Sequence, residues 1–597
     1  MRWTASKQIL ATALVVAGLA MDGSQYAPQV AVRAAAVSPT ARTTLRVGMW
    51  TLWRDREAVL TLGGGATLRS CEQCASLSFG TPVSVRAAGN GLELSAAGKT
   101  GHAARLWLSG RVTLAAHGER LTLENPVTIT VHGGILIFAV TLPVESYVER
   151  VVASESGQDD SSESLKALAI VVRTFALHEA HGHKEYDLCD STHCQLLHWG
   201  GNPGRAAAAH AATQATAGET LWYNGHRALA YFHKDCGGRT ASPAENWPAT
   251  RPVPYLASRP DRYCAASGAQ EWASEISRPE LSSALAAHGL ARPGWQNLIV
   301  AKRGESGRAV TLRLDGAEIP AEEFRLAVGE TLGWDRIPST WFDVSRQGDL
   351  FVFHGRGWGH GVGLCQKGAA AMAEQGRFAR QILDEYFPGA EPADEQTGRA
   401  WQRIAGAGFV LESLDMADAE FVPELSRARA EASQRSGLNA AQAFTVRAFA
   451  STPQFRAATQ APGWVAAFTE GDWIGVQPLR TLAARHLLEG TLRHEFLHAL
   501  VEREAGSAVP LWLREGLVEV WSEDNGAARS VNAHRKGDLK AVESALAHAS
   551  TEAESESAHR AAEGFASQLL GRYGRAQVLE WLRSGIPAGV VAALGQR

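Results

Sequence analysis

The chain lacks a second apolar run of the kind that opens it, and even that one is short. A membrane span takes about 20 apolar residues, whereas residues 9–20 (ILATALVVAGLA) stop well short and follow Arg2 and Lys7. Such a pattern reads as an export signal over residues 1–36, cleaved after Ala20 or within AVRAAA (31–36). An uncleaved anchor is the alternative. Long basic runs are also missing, and the formal net charge of the 597 residues is −4. Nothing therefore predicts a nucleic-acid partner. No internal repeat is present. A dinucleotide fingerprint is absent too: GRGWGHGVG (355–363) fails G-x-G-x-x-G in every frame and has no P-loop Lys-Ser/Thr. Cysteine is scarce and odd in number, with seven: Cys71, Cys74, Cys189, Cys194, Cys236, Cys264 and Cys365. Export permits disulfides, and the odd count leaves a thiol unpaired or points to a metal.

What is present suits a folded chain of two to four domains, with 45% apolar and 20% charged residues. The pattern predicts an α+β protein. Residues 40–140 are β-rich, with runs such as RLWLSGRVTL and NPVTITVHGG broken by Gly, Asn and Pro. Within them CEQC (71–74) favours a local disulfide over half a zinc site. Residues 141–390 mix helices and strands. PGAEPADEQTG (388–398) suggests a linker over 391–400, and residues 401–597 are mostly helical. In LPVESYVERVVASESG, Val144, Tyr147, Val148, Val151 and Val152 recur at helical spacing and Gly157 marks the stop. A second helix follows. Asp160 and Glu163 stand at capping-box spacing before it, and Leu165, Leu168, Val172 and Phe175 form its apolar face.

Three stretches carry candidate chemistry. Glu155 ends the first helix after an apolar face, where partial burial would raise its pKa and suit it to general acid work. The alternative is a surface carboxylate at a helix end. Its competitors Glu145 and Glu149 share one helix face and are expected to be solvated, and Arg173 is expected to hold a carboxylate or a loop. The alternate glycines of 355–363 leave room for a bulky ligand against the backbone, with His360 and Gln366 offering polar atoms. The plain alternative is a tight turn beside the core. HGHKEYDLCDSTHC places His181, His183, Cys189, His193 and Cys194 close in sequence, which fits zinc or a Cys189–Cys194 disulfide. Lastly, HEFLH puts His494 and His498 on one helix face with Glu495 between them. That is a zinc-hydrolase pattern which also arises by chance in amphipathic helices.

Four ordered blocks resemble the SpoIID/LytB family of cell-wall proteins: LPVESYVERVVASE with SLKALAIVVRTFA, DSTHCQ with Trp199, YFHKDCGGRTASPAENW, and GRGWGHGVGLCQKGAAAMAEQG. Cys365 and Cys236 depart from that pattern, which has Ser or another small residue there. The resemblance implies a SpoIID-like core with an inserted lobe. It implies an exported protein of the periplasm, envelope or exterior that acts as a lytic transglycosylase on peptidoglycan glycan strands. Such an enzyme cleaves the bond between N-acetylmuramic acid and N-acetylglucosamine and leaves a 1,6-anhydro end. Glu155 would be its acid and base. Arg173, Gly238, His360, Gly361, Gly363 and Gln366 would bind substrate, and His183, Cys189 and Cys194 would hold zinc. Some family members are instead described as enhancers of a cell-wall amidase. Downstream, WLREGLVEVW resembles the second helix of gluzincin-type metallopeptidases. By that resemblance His494, His498 and Glu515 would bind zinc, Glu495 would be the base, and His534 is a candidate partner for the transition state. Three functions follow for test: a glycan-cleaving enzyme, a binding module that stimulates an amidase, or a secreted zinc protease.

Overall fold

The computed structural model describes residues 43–594 except 79, 158–159, 179–182, 249, 292–293, 462–463, 507–508, 523–538 and 549–550. The expected export signal (1–36), His181 and His534 lie outside the described residues. No helix among them is long and apolar enough to cross a membrane.

Strand alternation builds the first core. In Thr44–Met49, Leu45 and Val47 are fully buried. The strand runs antiparallel to Ile135–Pro143, with Thr44 opposite Pro143 and Met49 opposite Phe138. They lie in a six-stranded sheet, beside a second six-stranded sheet that contains Glu57–Leu62 and Val83–Ala88. Cys71 and Cys74 are joined by a disulfide within this region.

The expected break near residue 140 is not a boundary. Ile135–Pro143 passes directly into the helix Val144–Glu155, with Pro143 at the N-cap, a position that suits a residue lacking an N–H. Leu142, Val144, Tyr147, Val148, Val151 and Val152 join the same apolar cluster as the sheets. The strand Leu188–Cys189 adds to the sheet edge beside Val47 and Gly48, so the cysteine-bearing loop is tied to the N-terminal region. The helix Ser162–Leu177 is capped one residue later than expected, where Ser164 Oγ accepts from the Ser161 N–H at 2.9 Å. Glu163 instead pairs with Lys166 and receives the Ala379 N–H.

An inserted lobe is built on two three-stranded sheets, one containing Glu271–Ser277 and Leu350–Arg356, the other Leu298–Arg303 and Ala309–Leu314. Phe324, Phe342, Phe351 and Phe353 form its separate core.

The linker expected over 391–400 is also corrected. Glu391–Asp394 is a strand paired with Glu219–Tyr223, and the Glu395 N–H bonds the Gly218 carbonyl at 2.8 Å. Beyond it a mixed five-stranded sheet packs with the helices Val422–Ser436, Leu488–Glu504 and Leu511–Ser522 around Phe409, Phe444 and Phe496. The two halves share buried structure. Arg447 is fully buried, bonds Glu412 Oε2 at 2.6 Å and the Ala217 carbonyl at 2.9 Å, and pairs with Glu219. Trp401, Phe449, Phe455 and Trp473 close over Ala217 beside it.

Candidate active site

Where the first sheet, the helix end at Glu155, the glycine loop and the inserted lobe meet, they enclose a cleft of about 1490 Å³. Trp50, Trp53, Phe175, Tyr231, Trp334 and Trp358 line it. Flat, amphipathic rings of this kind suit the apolar faces of sugars. Trp53 is 53% exposed and stacks on His117, with ring centroids 4.3 Å apart and planes 5° apart.

Glu155 is half-buried at the cleft wall, and Oε1 accepts the Leu196 N–H at 3.2 Å. Burial pushes its carboxyl up to about 7, against smaller opposing effects from the Leu196 N–H and Lys234. Near neutral pH it therefore holds a proton part of the time, as a general acid must. Gln366 Nε2 donates to the Glu155 carbonyl at 3.3 Å, which locks the helix end to the glycine loop. His360 also lines the cleft, and its Nδ1 accepts the Val362 N–H at 3.0 Å. Burial, with Arg325 and Arg308, lowers its pKa to about 3, so a neutral ring carries its proton on Nε2. His233, which no sequence signal singled out, bonds the Val362 carbonyl through Nδ1 at 3.1 Å and is buried on the cleft wall.

Asp190 assembles one side of the site. Its carboxylate accepts from the Trp50 N–H (2.6 Å), the Thr51 N–H (3.1 Å) and Trp199 Nε1 (2.9 Å). The tryptophan loop of the N-terminal sheet, the cysteine loop and Trp199 are thereby fixed together. Sequence reasoning missed Trp50 and Trp53. Two tryptophans in the short stretch WTLW, one of them exposed, were the available signal.

Several expected substrate contacts lie elsewhere. Arg173 is fully buried and bonds Glu145 at 2.9 and 2.5 Å. It holds a carboxylate as the core reading expected, but it does not reach the cleft. Glu145, expected in solvent, is 3% exposed for that reason. Glu149 bonds His210 at 2.8 Å. Gly238 packs against Ala265, outside the cleft lining. Gly361 and Gly363 have φ of +81° and +75°, and added Cβ atoms would meet the Arg308 guanidinium and the Tyr231 carbonyl. These two glycines serve a tight turn against the protein itself, because side chains there would collide. His360 and Gln366, by contrast, are on the cleft.

His183, Cys189, His193 and Cys194 converge, with donor atoms all within 4.8 Å of one another. His183 Nε2 lies 3.3 Å from Cys194 Sγ, and both cysteines are thiols. Hydrogen bonding from Cys194, aided by His193, holds the Cys189 thiol well below its ordinary range. Two cysteine sulfurs and two imidazoles at this spacing are a donor set that zinc takes.

In the C-terminal half, His494 and His498 face each other with Nε2 atoms 3.0 Å apart. Glu515 Oε2 stands 3.6 Å from His498 Nε2 and 3.3 Å from His559 Nε2. Burial holds His494 down to about 3, so its ring is neutral. Glu515 is pulled down to about 2 by His498 and His559 against the opposing effect of burial. Burial raises Glu495, whose Oε2 accepts from Thr469 on the edge strand Ala467–Glu470 at 2.5 Å. Two imidazoles and a carboxylate are thus gathered on one side of the helix pair, ligand types that zinc takes. His559 had no sequence signal, because it lies on a distant helix.

Comparison with known proteins finds likenesses for part of the chain. Residues 134–223 match the family model described as Stage II sporulation protein, so the chain carries a SpoIID family domain. Residues 253–363, the inserted lobe and glycine loop, match a domain of unknown function (DUF8618). Both matches end before residue 401. The chain is 29% identical over 262 residues to an uncharacterized protein of Brachyspira hyodysenteriae, covering 43% of this chain and 69% of that one. It is 29% identical over 268 residues to stage II sporulation protein D of Bacillus amyloliquefaciens, covering 42% and 74%. An amidase enhancer of Bacillus subtilis (strain 168) is 24% identical over 294 residues, 40% of this chain and 39% of the enhancer.

Proposed function

We propose that the chain is an exported cell-wall protein that cleaves peptidoglycan glycan strands as a lytic transglycosylase, with Glu155 as acid and then base. The observation that carries this reading is a carboxyl raised to about 7 inside an aromatic-lined cleft. The glycan lies along the tryptophans. Glu155 gives its proton to the glycosidic oxygen as the C1–O bond breaks. The 6-hydroxyl of the same muramyl residue then attacks C1 and returns its proton to Glu155, so no water is consumed. One carboxyl is enough for this sequence, unlike hydrolysis by paired acids. Asp190 and Asp235, two of the five further acids lining the cleft, are committed to backbone N–H groups. Zinc held by His183, Cys189 and Cys194 would brace the loop that presents Leu196 to Glu155.

A second reading, a glycan-binding enhancer of a cell-wall amidase, is favoured by the relative of that name. The two part on one experiment. The full chain and its Glu155→Gln variant are incubated with purified glycan strands, with and without stem peptides, and products are read by mass spectrometry. Anhydro-muramyl ends from the wild type alone support the first reading. No product from either protein, together with a stimulated amidase, supports the second.

The C-terminal half is proposed as a zinc peptidase domain in which His494, His498 and Glu515 hold the metal. Bound there, zinc would supply Lewis acidity and an activated water. Glu495, made more basic by burial, would take the proton, and the edge strand Ala467–Glu470 would hold a peptide. His494→Ala should remove one zinc per chain and any chelator-sensitive cleavage of a casein substrate. Zinc content unchanged by this variant would sink the proposal.

A further inference from the structure

A second cluster of soft ligands lies away from the histidine loop. Cys236, Asp261, Cys264 and Cys365 are all buried, and their donor atoms lie within 4.8 Å of one another. The residues come from three separate segments. Cys236 follows the short strand Phe232–His233, Cys264 lies in the helix Arg262–Ala266 that Asp261 caps, and Cys365 is the N-cap of the helix Gln366–Glu374. We propose that these four side chains form a structural metal site for a single zinc-like divalent cation, bound by three thiolates and one carboxylate oxygen.

The surroundings match what such a site requires. A tetrahedral ion with Zn–S bonds of about 2.3 Å needs ligand atoms about 3.8 Å apart, so the cluster would close by only a small movement. Cys365 Sγ accepts the N–H groups of Cys236 at 3.3 Å and Gly368 at 3.5 Å, contacts that stabilise sulfur as an anion. Asp261 is oriented from outside the cluster. Its Oδ1 accepts the Tyr263 and Cys264 N–H groups at 3.1 and 2.9 Å, and Oδ2 accepts the Tyr386 hydroxyl at 2.8 Å. Ligands held in this way by further hydrogen bonds are the usual pattern of metal centres. Asp235 Oδ1 receives Cys264 Sγ at 3.2 Å, and Lys367 Nζ is 3.4 Å from Asp235 Oδ2. The fully buried Arg308 donates to the Cys236 carbonyl at 3.0 Å and supplies positive charge beside the anionic cluster.

Disulfide chemistry fits less well. Three thiols cannot pair among themselves, so one bridge would leave the third cysteine unpaired beside the buried Asp261. The same structure joins Cys71 to Cys74 and leaves these three as thiols. The metal would pin Cys365, immediately before Gln366, to the strand and helix behind the glycine loop. It would thus set the position of the amide that holds the Glu155 carbonyl.

The test uses the full chain carrying Cys189→Ser and Cys194→Ser, which leaves the histidine loop without thiolates. The HEFLH site has none of its own. Loading with cobalt(II) should still give an intense near-ultraviolet sulfur-to-cobalt band, and adding Cys264→Ser should abolish it and lower the zinc content by one per chain. No band, or zinc content unchanged by Cys264→Ser, would overturn the site. So would a disulfide among Cys236, Cys264 and Cys365 in freshly isolated protein, found by alkylation and peptide mass mapping. If Cys264→Ser does not fold, anomalous scattering at the zinc edge from wild-type crystals decides. A peak equidistant from the three sulfurs supports the proposal, and its absence rejects it.

Discussion

Glu155 and Arg173 show how far a side chain's role depends on what surrounds it. Both stand next to the same helical core, yet one is left half-open and the other is sealed. A carboxyl raised to about 7 has a definite sign of pH dependence. The acid form prevails below pH 7, so glycan cleavage should fall about tenfold per unit above it, and Glu155→Gln should lose about 10²–10⁴-fold. Because the folded state holds this proton more tightly than the unfolded chain does, stability declines as pH rises from 4.5 to about 7 and is flat beyond. Glu155→Gln should therefore gain in melting temperature relative to wild type across that window, measured by calorimetry at several pH values. Arg173→Met has a different expected signature. It strands Glu145 in the core, which costs about 3–5 kcal/mol in denaturant unfolding at neutral pH. Glu155 and Arg173 were legible in the sequence, but the burial of Glu145, expected in solvent, was not. Helical spacing puts Glu145 and Glu149 on a common face, and only the packing of 213–219 against that face shows that Glu145 is covered. Arg173 bonds the Thr213 and Glu219 carbonyls at 3.3 and 3.1 Å there.

Among the elements, helices read well and the glycine loop read halfway. Val144, Tyr147, Val148, Val151 and Val152, picked out by apolar spacing, are all buried on Val144–Glu155, and Glu145 and Ala153 are buried with them. The cap of the next helix fell one residue away from expectation, because Ser161 and Ser164 compete for the same role as Asp160 and Glu163. In the loop 355–363, the alternating glycines signalled a close approach but not of what. Only a folded chain shows that Gly361 is pressed by Arg308 rather than by a ligand. Gly361→Ala places a Cβ 2.5 Å from Arg308 Nε at a φ of +81°. It should cost about 1–3 kcal/mol of stability, read from urea unfolding, and should weaken glycan binding through displacement of the adjacent His360. An unchanged unfolding midpoint would mean that the loop yields freely.

At the scale of the whole molecule, the two halves are not beads on a string. Arg447 belongs to the C-terminal sheet, yet it neutralises Glu219 beneath the SpoIID domain. The strand Glu391–Asp394 pairs with Glu219–Tyr223 just before the chain enters the C-terminal half. A chain ending at residue 400 therefore keeps the strand but loses the buried guanidinium and the aromatic cover of Trp401, Phe449, Phe455 and Trp473. It should melt at a lower temperature than the same region in the full chain, and Arg447→Met in the full chain should reproduce part of that loss. Equal melting of the fragment and the intact protein would show that the contact contributes nothing. The shared buried ion group, Arg447 with Glu219 and Glu412, ties the two halves together through contacts rather than through the chain alone.

The sequence by itself determined the α+β class, the helices, the HEFLH pair, and a carboxyl at the end of the helix Val144–Glu155, because spacing along a chain specifies what one helix face carries. It also placed His183, Cys189 and Cys194 near one another, since all three fall in a single loop. Tertiary structure alone decided which groups from distant segments meet. It brought Trp50 and Trp53 to the cleft, His559 to Glu515, Arg447 to Glu219, and Cys236, Cys264 and Cys365 to Asp261. Such meetings depend on loop closure across tens to hundreds of residues. No local periodicity encodes them, and the packing of whole sheets and helices sets which distant side chains share a space.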